Sequence, residues 1–207
     1  MTALRRFLRD TRAASAAEFA LVLPLMLLFL FGIIDVGRFA WEINQAEKAT
    51  QTGARWAVVT DMIPSGLASY SFATSGGIEQ GTVVQPANFP GVSCTSNGTT
   101  TTCTCASGGT CSFPLTASNP AFQRLVGRMD DIKGGITSAN VVVDYSWSGL
   151  GFSGDPNGSD VAPITTVRLQ NVTFTPITFQ LFGAPTLTLP SFAYSLTMED
   201  GSGLASN

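Results

Sequence analysis

The run Ala20 to Ile34, ALVLPLMLLFLFGII, carries no charge, and nothing else in the chain limits its folding as strongly. Crossing ~30 Å of hydrocarbon takes about 20 helical residues. The run reaches that length by recruiting Ala13 to Ala17 on one side or Asp35 to Trp41 on the other. Charge gives it a direction. Arg5, Arg6, Arg9 and Arg12 precede it against Asp10 alone, and such a basic cluster stays in the cytoplasm. The residues beyond the run are then expected on the outer side of the membrane. Charged residues make up 12% of the chain, about half the share usual in a globular protein, as a membrane segment requires.

A secretory signal peptide has the same order of basic and apolar residues. Its cleavage site needs an A-x-A-like pattern, and Asp35-Val-Gly-Arg-Phe-Ala-Trp41 offers no good match, which favours a retained anchor. Two residues interrupt the anchor's apolar character. Glu18 is a carboxylate at its cytoplasmic edge, where ionised groups become expensive toward the bilayer centre, by ~2.5 kcal/mol or more. It either snorkels to the interface or pairs with the free N-terminal amine of a neighbouring processed subunit. Pro24 removes one backbone hydrogen bond and predicts a kink, which serves either flexing of the anchor or nothing beyond a tolerated bend.

No proline follows from Gly37 to Val59, and Phe39, Ile43, Ala46, Thr50, Gly53 and Ala57 fall at helical spacing. Glu42, Gln45, Glu47, Lys48, Gln51 and Arg55 take the opposite face. A helix from Ala14 to Val59 is about 69 Å long, more than a bilayer needs, so its outer half must pack on something. The stripe of Ala46, Ala49, Gly53, Ala54 and Ala57 permits close approach, either of the chain's own outer domain or of other subunits.

The remaining residues predict that domain. Ile63 to Gly81 and Gly91 to Thr116 are rich in Gly, Ser and Thr without sustained period and read as loops. Pro120 to Ile132 reads as a short helix with Phe122, Leu125, Val126 and Met129 on one side. Asn140 to Ser148, Ile164 to Thr175, Thr186 to Leu189 and Phe192 to Met198 are β-branched and aromatic and read as strands. Val141, Val143, Tyr145 and Trp147 share one face of the first. The expected class is α+β, a long N-terminal helix laid on a small antiparallel sheet.

The stretch Arg12-Ala-Ala-Ser-Ala-Ala-Glu18-Phe19-Ala-Leu-Val-Leu-Pro24-Leu, closed by Phe31-Gly-Ile-Ile-Asp35-Val-Gly37-Arg38, resembles the TadE-like family of the tight adherence (Tad) pilus system. Gln45-Ala46 and Gln51-Thr-Gly53-Ala54-Arg55-Trp-Ala57 are similar to the family's helical extension. The likeness covers about residues 11 to 60. A looser one covers Val167 to Leu169, Thr175-Pro176-Ile177 and Leu187 to Met198. It implies a pilin-like fold in three parts: a basic cytoplasmic leader (1–13), a transmembrane and extended helix (14–60), and a periplasmic or extracellular β-rich domain (61–207) with a cysteine-containing loop (91–116). It implies cleavage by a prepilin peptidase between Ala13 and Ala14, leaving Glu18 fifth in the mature chain, although Ala13 stands where glycine is usual. The implied partners are the bacterial inner membrane, other pilins or pseudopilins and the Tad assembly platform.

Cys94, Cys103, Cys105 and Cys111 crowd one Thr/Ser/Gly segment. Outside the cytoplasm an even count reads as disulfides, in three possible connectivities, of which Cys103 with Cys105 is the most strained. The spacing does not give the paired C-x2-C knuckles of a zinc site. Histidine is absent, which removes Ser-His-Asp and Cys-His catalysis and every His-ligated metal. Asp130 and Asp131 read as a solvated helix end. Gly151 to Asp160 could offer oxygens to Ca2+ but lacks EF-hand spacing, and a turn-rich loop is the plainer reading. Asn97, Asn157 and Asn171 open N-x-[ST] sequons without evident meaning in a bacterial protein. With acidic residues outnumbering basic ones beyond Gly37, no basic face exists for nucleic acid. The expected function is that of a non-enzymatic minor pilin or pseudopilin without cofactor or metal. The alternatives are an anchored extracellular binding module and an anchored hydrolase using carboxylates alone.

Overall fold

The computed structural model describes residues 11–182, 186–199 and 201–204. The fold is α+β, as expected, and divides into two compact units: residues up to Trp41 with Thr173–Leu187, and Glu42–Val172 with Thr188 onward. Helix α1 runs from Thr11 to Val59, about 74 Å at 1.5 Å per residue. It continues through Pro24, flanked by Leu and Ala residues of high helix propensity.

In the first unit α1 is accompanied by the segment that enters through β5 (Thr173–Phe174), forms the short helix α4 (Ile177–Phe182) and leaves through β6 (Leu187–Thr188). The sequence predicts a strand as far as Thr175, but Asn171 adopts φ +56° and breaks it after Leu169. Pro176 then supplies no N–H for a strand to use, and the chain turns helical instead.

In the second unit a five-stranded antiparallel sheet has the order β2-β1-β3-β4-β7. Its strands are β1 (Val92–Ser96), β2 (Thr101–Cys105), β3 (Val141–Ser146), β4 (Ile164–Leu169) and β7 (Phe192–Thr197). A single helical turn, α2 (Ser65–Ala68), lies within the 63–81 segment. Helix α3 (Asn119–Asp130) begins with Ser118 accepting from Ala121 N–H, as an N-cap should, and has Pro120 in its first turn. Its apolar side, Phe122, Leu125, Val126 and Met129, is buried.

The reading of 91–116 as a loop is corrected: residues 92–105 form a β-hairpin. Val92, Cys94 and Ser96 alternate inward with exposed Thr95 between, and Thr suits a strand because its branched Cβ fits the pleat. Asn97-Gly98 makes the turn, with Gly98 at φ +97° and Asn97 Oδ1 accepting from the N–H groups of Thr99 and Thr100. A second difference concerns Trp147. Val141, Val143 and Tyr145 are buried as expected, but β3 ends at Ser146 and Trp147 stands half-exposed, donating Nε1–H to Val84 O at 2.8 Å.

Candidate functional site

The first unit exposes what a soluble protein hides. Leu21 is 81% exposed, and Leu25, Phe29, Ile33 and Val36 behave similarly at helical spacing. Among the described residues this is the one helix long and apolar enough to cross a membrane. Leu28, Phe29, Gly32, Ile33 and Val36 line a shallow groove that opens where Gly32 lacks a side chain. Glu18, Phe19 and Pro24 are all exposed. The backbones of Ala13 and Ala14 are helical, whereas their side chains and the leader's first ten residues lie outside the described part.

From Ser15 to Gln45 one residue is buried, and it is the carboxylate Asp35, 7% exposed. A buried carboxylate needs its oxygens occupied. Ile177 N–H donates to Oδ1 at 2.7 Å, and Thr178 donates to Oδ2 twice, through its N–H at 2.9 Å and its hydroxyl at 2.7 Å. These backbone donors are the first two of α4, which no intrahelical carbonyl can serve. A negative charge there also opposes the positive end of the helix dipole. Asp35 thus caps a helix 142 residues away in sequence.

Arg38 completes this collar. It approaches Asp35 at 3.4 Å and places its guanidinium 5.3 Å from the Phe174 ring centroid, while Phe39 meets the same ring edge-on at 5.5 Å. With Arg38 nearly half exposed, the ion pair adds at most about 1 kcal/mol, and the hydrogen bonds carry the arrangement. Sequence reading recognised Asp35 and Arg38 only as the motif's close. The signal for more was a carboxylate set directly after an apolar run.

In the second unit the predicted stripe is buried: Ala46, Ala49, Thr50, Gly53, Ala54 and Ala57. A Cβ on Gly53 would lie 2.8 Å from Met129 Cγ and Sδ and 3.5 Å from Leu125 Cδ1, so α3 crosses at that glycine. Lys133, 7% exposed, pairs with Glu42, and Arg124 pairs with Asp61 at 2.9 Å. Tyr145 reaches from the sheet to accept Ile63 N–H at 3.2 Å, and burial raises its phenol well above the usual value.

Cys94 bonds Cys103 directly across the hairpin, and Cys105 bonds Cys111. Asp130 accepts from the N–H groups of Gly135 and Ile136, and Asp131 is exposed. In the 151–160 loop, buried Asp160 accepts from Phe72 N–H at 2.6 Å and from Asp155 N–H at 3.1 Å. Asp130 thus organises the turn that follows its own helix, and Asp160 joins its own loop to the 63–81 segment through Phe72.

A long N-terminal apolar helix, a candidate for a single membrane span, followed by a small antiparallel sheet is consistent with a pilin-like fold. Residues 13–55 match the family model described as TadE-like protein, so the chain carries a TadE-like domain over that stretch. No curated protein matches the chain, and no solved structure does.

Proposed function

We propose that this chain is a minor pilin or pseudopilin, a non-enzymatic component in assembly of a Tad-type (type IVb) pilus used for adhesion or secretion. The observation that carries this reading is the coincidence of the TadE-like stretch 13–55 with one helix whose outer faces suit lipid up to Asp35 and whose small-residue face is packed beyond Glu42. The chain sits in the inner membrane with its N-terminus in the cytoplasm and its sheet in the periplasm. A prepilin peptidase cuts between Ala13 and Ala14. The exposed Glu18 then meets the new amine of a neighbouring subunit, a charge pair that offsets its cost at the membrane edge.

N-terminal sequencing of the protein from membranes tests this: the expected first residue is Ala14. A start at Met1 removes the processing step, and a start beyond Trp41 turns the anchor into a signal peptide. Deleting the coding region is expected to abolish pili.

One observation favours a second reading, an anchored binding module. Val83, Trp147, Leu150 and Phe152 are large apolar residues exposed on two loops that Trp147 ties together, and such patches mark interaction sites. On that reading pili survive deletion, and loss of ligand binding follows from replacing Trp147 or Phe152.

A further inference from the structure

We propose that α4 is a second membrane contact, a short foot lying in the lipid headgroup region beside the anchor. The inference rests on α1 being the membrane anchor. Three independent observations support it. Asp35 follows Ile34, the last residue of the uncharged run, and holds both backbone donors that open α4 within 2.9 Å. The bilayer boundary set by the anchor therefore sets the level of α4 as well. Residues 173–187 belong to the same compact unit as the anchor.

The second observation is chemical. No charged residue occurs from Leu169 to Met198, and α4 itself reads Ile177-Thr-Phe-Gln-Leu-Phe182. A solvent-facing segment usually carries charge, whereas a headgroup-level segment carries aromatic and aliphatic residues with uncharged polar ones between them. The third is local exposure. Trp41 on α1 is 64% exposed and Leu187, at the exit from the foot, is 40% exposed, an aromatic and an aliphatic of the kind found at membrane boundaries. Arg38 at the same level is exposed and free to meet lipid phosphate over the part of its guanidinium that Asp35 does not hold.

The contact adds a second point of attachment, so the first unit rests on the bilayer by two elements. Its occupant is lipid, a continuation of the apolar band that ends at Ile34. A second copy of the chain would instead cover α4 in proportion to protein density.

Single cysteines introduced by Leu27→Cys, Gln180→Cys, Phe182→Cys and Asn97→Cys, labelled with an environment-sensitive fluorophore while the four native cysteines stay paired, separate the outcomes. The full chain is reconstituted in phosphatidylcholine–phosphatidylglycerol vesicles containing brominated lipids. The label at Leu27 is expected to lose emission to bromines near the chain ends. At least one of the labels at 180 and 182 is expected to lose a comparable share to bromines just below the headgroup, and the label at Asn97 none. Quenching at Leu27 with none at 180 and 182 overturns the foot and leaves the anchor standing. Emission at 180 and 182 that changes with protein-to-lipid ratio but ignores bromine assigns α4 to a second copy and overturns the proposal. No quenching at Leu27 overturns the anchor and the foot with it.

Discussion

Replacing Asp35 by alanine removes the acceptor for two backbone N–H groups and one hydroxyl at the start of α4. A hydrogen bond to a charged group is worth about 1.5–3 kcal/mol net. The three do not add: the Thr178 hydroxyl can rotate to another partner, and alanine recovers the cost of burying a carboxylate. A six-residue helix has almost no stability of its own, since nucleation costs more than its few internal hydrogen bonds return. The expected loss is therefore about 2–4 kcal/mol, all of it local to α4. At 1.4 kcal/mol per factor of ten, local opening rises by roughly 30- to 700-fold. Asp35→Asn keeps one carbonyl acceptor but turns the other atom into a donor facing donors, and is expected to reproduce most of the loss. Hydrogen exchange of the protein in nanodiscs reads this directly. The amides of Thr178 to Phe182 should lose protection while Val143 and Val167 in the sheet keep theirs. Unchanged exchange over α4 in Asp35→Ala, or equal loss in the sheet, refutes the capping argument.

Enlarging Gly53 to leucine forces atoms into the space of Met129 and Leu125 and is expected to destabilise the second unit by about 1–3 kcal/mol, seen as a lower thermal midpoint by circular dichroism. Replacing Cys94 and Cys103 together by serine opens a loop with sequence separation 9, and chain entropy predicts a loss of about 2.5 kcal/mol in denaturant titration. Tyr145→Phe strands the buried N–H of Ile63 at an expected cost of about 1–3 kcal/mol by the same titration. Because burial raises the Tyr145 phenol, its contribution to stability is full below the ordinary phenol value of about 10 and declines as pH climbs above it. Ultraviolet titration should find one of the three tyrosines ionising only as the fold opens.

The sequence reveals most of what periodicity encodes. The long helix, its small-residue stripe and helix α3 were legible because each repeats at helical spacing over several turns. The strands β3, β4 and β7 were legible from their β-branched and aromatic runs. The hairpin was not, because Thr and Ser weigh as loop residues by composition. Its own signal was nonetheless present in Asn97-Gly98, a strong hairpin turn, with Cys94 and Cys103 on either side. Helix α4 was beyond local reading. Ile, Thr and Phe favour a strand, and the group that makes the segment helical lies at Asp35, which no window around Ile177 contains.

That separation explains why the two carboxylates bordering the anchor call for different treatment. Both Glu18 and Asp35 stand near the ends of the apolar run, where an ionised group is a cost to be offset. In the structure the cost of Asp35 is met within the chain by two amides and a hydroxyl, leaving little capacity for another molecule. Glu18 is exposed in the single chain and so keeps its oxygens available for water, lipid or a neighbour. An assembly role for Glu18 and a folding role for Asp35 therefore separate experimentally. Replacing Glu18 by glutamine should leave exchange over α4 and the membrane level of the protein unchanged while piliation is lost. Replacing Asp35 should lose protection over α4 first. If Glu18→Gln assembles pili normally, the charge pair between subunits is wrong, and snorkelling to the interface is all that Glu18 does.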